Sequence, residues 1–122
     1  MSNSKNLIMD YLARISEAIL LVENRAAQIK SPEDFISSSE GTLVLDSIAM
    51  RLQVIGELVK KIDKIDRAIL NGYTEIEWAL IMKLRDIISH HYEMIDYEII
   101  FDICKNHIPK LKAAVNNLLH NS

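Results

Sequence analysis

The sequence predicts an all-α fold: an up-and-down four-helix bundle with one additional short helix, in a single domain spanning residues 1–122. Three observations lead there. Apolar residues recur at alternating spacings of three and four over long stretches, which is the period of one helix face. Turn-forming residues are scarce, with 3 Gly and 2 Pro in 122 residues, too few for the many tight turns of a stranded sheet. Apolar residues make up 49% and charged residues 25%, an ordinary balance for a globular chain with one core.

The first helix carries the seam Ile8, Leu12, Ile15, Ile19, Val22, Ala26 and Ile29. "SPEDF" then restarts the chain as a short helix or turn. Ser31 suits a cap, Pro32 the first helical position, and Glu33 and Asp34 the positive helix end. The loop "SSSEG" follows. A second long helix runs from about Thr42 to Ile62 on the seam Leu45, Ile48, Leu52, Ile55, Val59 and Ile62. Gly56 lies inside it at a cost of roughly 1 kcal/mol against alanine, which points to a close-packed neighbour.

"DKIDRAIL" reads as a short helix ending at "NG", where Gly72 is expected in the left-handed C-cap conformation. "TEIE" reads as a capping box, Thr74 with Glu77, opening the third long helix. That helix carries "RDIISHHY", residues 85–92. Asp96 is expected to cap the last stretch, through Ile100, Ile103, Ile108, Leu111, Val115 and Leu118, with Pro109 kinking or restarting it.

Several functional classes are disfavoured. The net charge of −3 argues against a surface coated in positive charge for unspecific nucleic-acid binding, though not against a local basic cleft. The one cysteine, Cys104, cannot form an internal disulfide and reads as a small apolar helix residue. No C-x-x-C or His-rich spacing suggests a metal site, and no cofactor is implied. The N-terminus lacks a signal-peptide apolar run, and no stretch approaches the roughly 18 apolar residues of a membrane span. A cytoplasmic location and no membrane partner are the expectation.

On a helical wheel at about 100° per residue, with Arg85 at the origin, Leu80, Ile81, Leu84, Ile87, Ile88 and Ile95 fall within an arc of about 120° that faces the core. His91 falls in the middle of that arc and reads as a packing residue. His90 falls on the polar side, near Lys83 and Asp86. Arg85, Ser89 and Tyr92 share another face with Trp78 and Met82. An arginine flanked by a tryptophan, a methionine and a tyrosine has the composition of a protein interface, most simply a homodimer formed through this helix. Arg85 and His90 lie about 140° apart on a regular helix. A loosened turn near Ser89 or a two-fold axis would bring them together; the plain alternative is that Arg85 and Asp86 are surface charges. "KKIDKIDR" supplies Lys60, Lys61, Lys64 and Arg67, which with Lys83 form either a basic track for RNA or a solvated helix end.

"RDIISHHY" matches R-x4-H-x-Y, and in that it resembles the HepT-like proteins of the HEPN superfamily. "VIGELVKK" is similar to the family's glycine–glutamate signature, "EIEWALIMKLRD" to the lead-in to its motif helix, and "HIPKLK" to the start of its last segment. The likeness spans roughly residues 5 to 119. It implies a HEPN-like bundle that dimerises so that both motifs share one cleft. It implies a metal-independent endoribonuclease, the toxin of a toxin–antitoxin pair. The implied partner is a minimal nucleotidyltransferase antitoxin, which silences the toxin by adenylylating the motif tyrosine, here Tyr92. Under this resemblance His90 is the general acid or base, Arg85 the phosphate clamp, and Asp86 an orienting group for His90. Many relatives carry asparagine in place of Asp86. The competing reading is a non-catalytic dimeric module that binds a nucleotidyltransferase or a nucleotide.

Overall fold

The computed structural model of the chain describes residues 2–89 and 96–121, and every regular element among them is helical. In chain order these are α1 (Ser2–Ala26), a 3-10 turn (Pro32–Phe35), α2 (Ser39–Ile65), α3 (Arg67–Asn71), α4 (Trp78–Met82), α5 (Leu84–Ser89), α6 (Tyr97–Asp102), a π-helical turn (Ile103–His107) and α7 (Ile108–His120). The all-α bundle is as expected. Helix α2 packs along α1 on one side and against α4 and α5 on another, while α7 closes on α1. All the α2 seam residues are buried, as are Ile8, Leu12, Ile15, Ile19 and Val22 of α1. Lys112 of α7 ties to Glu23 of α1 at 2.8 Å.

Three local expectations are corrected first. Helix α2 begins three residues before Thr42, taking in Ser39, Glu40 and Gly41. The Ser38 hydroxyl accepts the Gly41 N–H at 2.9 Å, satisfying one of the open donors of the first turn. Gly41 is required there, since a Cβ would collide with the Asp34 carbonyl. Gly72 ends α3 in the right-handed region, at φ −71°, not the left-handed one. Thr74 and Glu77 form no capping box: α4 starts at Trp78 and Glu77 gives no side-chain cap. The Glu77 carboxylate turns outward instead, to 3.9 Å from His107 Nδ1.

The third long helix is interrupted at Lys83. Its N–H is shared between the carbonyls of Ala79 (3.2 Å) and Leu80 (3.1 Å), a local tightening toward 3-10 geometry, and the regular ladder resumes with Ile87 N–H to Lys83 O at 2.9 Å.

The expectation at Asp96 holds: its carboxylate accepts the N–H groups of Glu98 and Ile99, both at 3.1 Å. Pro109 restarts the last helix, as expected: α7 begins at Ile108 with the proline in its first turn. The preceding π-helical turn, in which Ile108 N–H reaches back to Ile103 O, widens the helix just where a proline ring would crowd the previous turn.

Candidate functional site

Gly56 decides how the motif helix sits. A Cβ at this position would stand 2.8 Å from the Ile81 carbonyl oxygen and 3.3 Å from Leu84 Cβ. Only glycine lets α2 come so close to the junction of α4 and α5. Ile81 and Leu84 are fully buried in this contact. The close approach sets the register of the two antiparallel helices, and two polar contacts cross between them. Arg85 Nη1 meets Glu57 Oε1 at 3.4 Å, and the Ser89 hydroxyl donates to Gln53 Oε1 at 3.4 Å, one turn further along both helices. Sequence reasoning placed Glu57 in the glycine–glutamate signature of "VIGELVKK" without giving it a task, and did not single out Gln53. That signature, and the spacing of four between Gln53 and Glu57 on α2, were the available signals, but what lies opposite is a tertiary fact.

Arg85, Asp86 and Ser89 are all exposed. The Arg85 side chain keeps 59% of its exposure despite the Glu57 contact, so its guanidinium is open to solvent. His90, His91 and Tyr92 lie outside the described residues, as does Ile95.

Beside Arg85 runs an open groove of about 600 Å³ between α2 and the α4–α5 segment. Five cations line it, Lys60, Lys61, Lys64, Arg67 and Lys83, against three carboxylates, Glu57, Asp63 and Asp86. The sequence-predicted lysines are thus brought to one place, and the local balance is positive in a chain that is negative overall. The cations are not equivalent. Arg67 is held by Asp63 (3.2 and 3.4 Å), and Lys61 lies 5.6 Å from the centroid of the Tyr11 ring. Lys60, Lys64 and Lys83 form no ion pair among the described residues. Lys83 and Asp86 stand on a ridge, for they also line a second hollow with Leu80, Ile87, Ile99, Asp102 and Ile103. Leu80 and Ile87, assigned to the core arc, are therefore only half-buried.

Trp78 and Met82, expected at an interface, are half-buried against the core of their own chain. The Trp78 indole N–H is spent locally, on the Tyr73 carbonyl at 3.2 Å. Burial pushes the Cys104 thiol up to about 12, so it packs as an inert group. Among the described residues no cluster of three or more His, Cys, Asp or Glu side chains could hold a metal ion, and no helix is long and apolar enough to cross a membrane. A further cavity, of about 440 Å³, is bordered by α1, α7 and the α2–α3 junction and shares no residue with the motif.

The pattern of the family described as "Ribonuclease HepT-like" matches residues 8–118. The "Probable ribonuclease HepT" of Thermococcus cleftensis is 30% identical over 109 residues, covering 89% of this chain and 93% of its own length. A Methanocaldococcus jannaschii protein, whose name joins gamma-glutamylcyclotransferase to a provisional RNase assignment, is 29% identical over 109 residues. Another from the same organism, provisionally named an RNase, is 40% identical over 63 residues. The chain spans about half the length of these last two, 46% and 50%. No solved structure matches it.

Proposed function

This chain belongs to the HepT-like ribonuclease family, and from that premise we propose that it is a metal-independent endoribonuclease. The observation that carries the reading is the exposed Arg85 guanidinium beside a groove with an excess of lysine and arginine. Phosphodiesters are recognised by positive charge along a track and by a planar fork at one phosphate, and this surface offers both.

Cleavage without a metal needs three things: a base for the 2′-hydroxyl proton, an acid for the 5′ oxygen, and positive charge on the phosphorane. The 2′ oxygen attacks phosphorus, the bond to the 5′ oxygen breaks, and the products are a 2′,3′-cyclic phosphate and a free 5′ hydroxyl. His90 is the general acid or base, since imidazole exchanges protons near neutrality. Arg85 holds the phosphate oxygens as charge develops. Asp86 precedes His90 by four positions in the sequence and orients its ring. Because a regular helix would set positions 85 and 90 about 140° apart, a homodimer that shares one cleft through Trp78, Met82 and Ser89 completes the site. Tyr92 receives the adenylyl group from a partner nucleotidyltransferase, and the added phosphate repels RNA from Arg85. The system is then a toxin with its antitoxin.

The test is cleavage of a defined RNA by the whole chain. Arg85→Ala is expected to lower the rate by about 10²- to 10³-fold and His90→Ala by about 10²- to 10⁴-fold, in chelator-treated buffer. If both variants cut as well as the parent chain, the catalytic assignment is wrong. Sedimentation reports the dimer. Mass spectrometry after incubation with the nucleotidyltransferase and ATP reports the modification, which Tyr92→Phe should abolish. RNA binding with no cleavage would favour the non-catalytic module.

A further inference from the structure

We propose that Glu57 is a positioning residue for the reaction: its carboxylate, reaching across from α2, holds the Arg85 guanidinium at the head of the basic groove. The inference rests on the reading of Arg85 as the phosphate contact, and deepens it by naming the group that sets the arginine's direction.

Three features of the contact support it. First, among the described residues it is single: Nη1 to Oε1 at 3.4 Å. A guanidinium carries five N–H donors in a rigid fork, so one contact fixes a direction and leaves the remaining donors for phosphate oxygens. A two-pronged pair would have consumed the fork. Second, the carboxylate's own base is rigid. The adjacent Gly56 seats α2 against the Ile81 carbonyl and Leu84, so the Cα of Glu57 and that of Arg85 stand in a register that packing enforces. Third, Glu57 lines the groove as well as touching Arg85, which puts it at the meeting point of the lysine track and the proposed phosphate site. An exposed ion pair adds little to folding, and a negative group among RNA-binding cations weakens attraction. A carboxylate there therefore needs another reason, and orientation supplies one. A long arginine side chain otherwise samples many rotamers, and misplacement by about 1 Å is enough to cost about a hundredfold in rate.

The experiment measures cleavage kinetics of the whole chain on a defined RNA for Glu57→Gln, Arg85→Lys and the double variant, with a thermal melt of each. The expected result is a kcat lowered about tenfold in Glu57→Gln with KM within twofold and an unchanged melt. In the Arg85→Lys background the second change should add nothing, because Glu57 acts only through the fork. Unchanged kcat in Glu57→Gln overturns the proposal. So does a lowered KM with faster cleavage, which would make Glu57 a competitor of phosphate, and so do effects that multiply in the double variant. Where Arg85→Lys leaves too little cleavage to measure, ¹⁵N relaxation of the Arg85 Nε–H group replaces the cycle. Its order should fall in Glu57→Gln, and unchanged order overturns the proposal. If Arg85→Ala itself cuts like the parent chain, the reading of the site fails. If Arg85→Ala is inactive while Glu57→Gln is normal, only the positioning role fails.

Discussion

Arg85 on α5 and Glu57 on α2 stand 28 positions apart in the chain and meet at 3.4 Å. With side chains 59% and 37% exposed, the pair is worth no more than about 1 kcal/mol of stability. Its weight lies in where it puts a cation: beside a groove that gathers Lys60, Lys61, Lys64, Arg67 and Lys83.

The glycine next to Glu57 should be intolerant of substitution. Gly56→Ala gains roughly 1 kcal/mol of helix propensity, but its Cβ would press on a backbone carbonyl that cannot rotate away, an overpacking cost of about 1–3 kcal/mol. The net expectation is a lowered melting temperature, by about 5 °C, together with weaker RNA cleavage as α5 is pushed off α2. A melt at or above that of the parent chain would show that the helices separate without strain.

The groove predicts a graded salt response. Lys60→Ala, Lys64→Ala and Lys83→Ala should each weaken binding of a non-cleavable 2′-deoxy oligonucleotide. Each should flatten the plot of log affinity against log salt by about 0.7 for a contacted phosphate. Asp63 already holds Arg67, so Arg67→Ala is expected to change the slope least of the groove cations. Slopes equal to that of the parent chain in all three lysine variants would mean that the lysines are a solvated helix end.

Two caps should behave oppositely. Asp96 accepts two backbone N–H groups at the start of α6, so Asp96→Ala should cost about 1 kcal/mol in denaturant unfolding. Thr74 lies in the turn before α4 and caps nothing there, so Thr74→Ala should stay within about 0.5 kcal/mol of the parent chain.

Stability at acid pH should report Asp34. The backbone N–H groups of Lys30 (2.8 Å) and Ser31 (3.2 Å) bond to its carboxylate and hold it below the usual value of 3.8. A folded-state value below the unfolded one stabilises the protein at pH above 3.8, and that stabilisation is lost as pH falls through the folded value. Asp34→Asn should therefore melt earlier than the parent chain at pH 7, and the gap should close below pH 3.8. A gap that persists at pH 2 would assign the effect to packing.

Much of the fold was legible because helix periodicity is a local property. The α2 seam and the α1 seam from Ile8 to Val22 are buried as their threes and fours require, while Ala26 is half-buried and Ile29 lies past the end of α1, and Asp96 caps as a short acceptor before a helix should. The readings that failed were those in which another part of the chain competes for the same group. Glu77 is drawn toward His107 and leaves Thr74 without its partner.

The sequence by itself determined the helices, the buried seams and the family, since each is written in residue type and spacing along one strand of chain. It also supplied the residue types that phosphate chemistry requires. Only the tertiary structure decided that Glu57 faces Arg85 and that cations from α2 and Lys83 line one groove. Those relations depend on how closely two helices approach, and that distance is set by a missing side chain at Gly56 meeting a carbonyl 25 residues away.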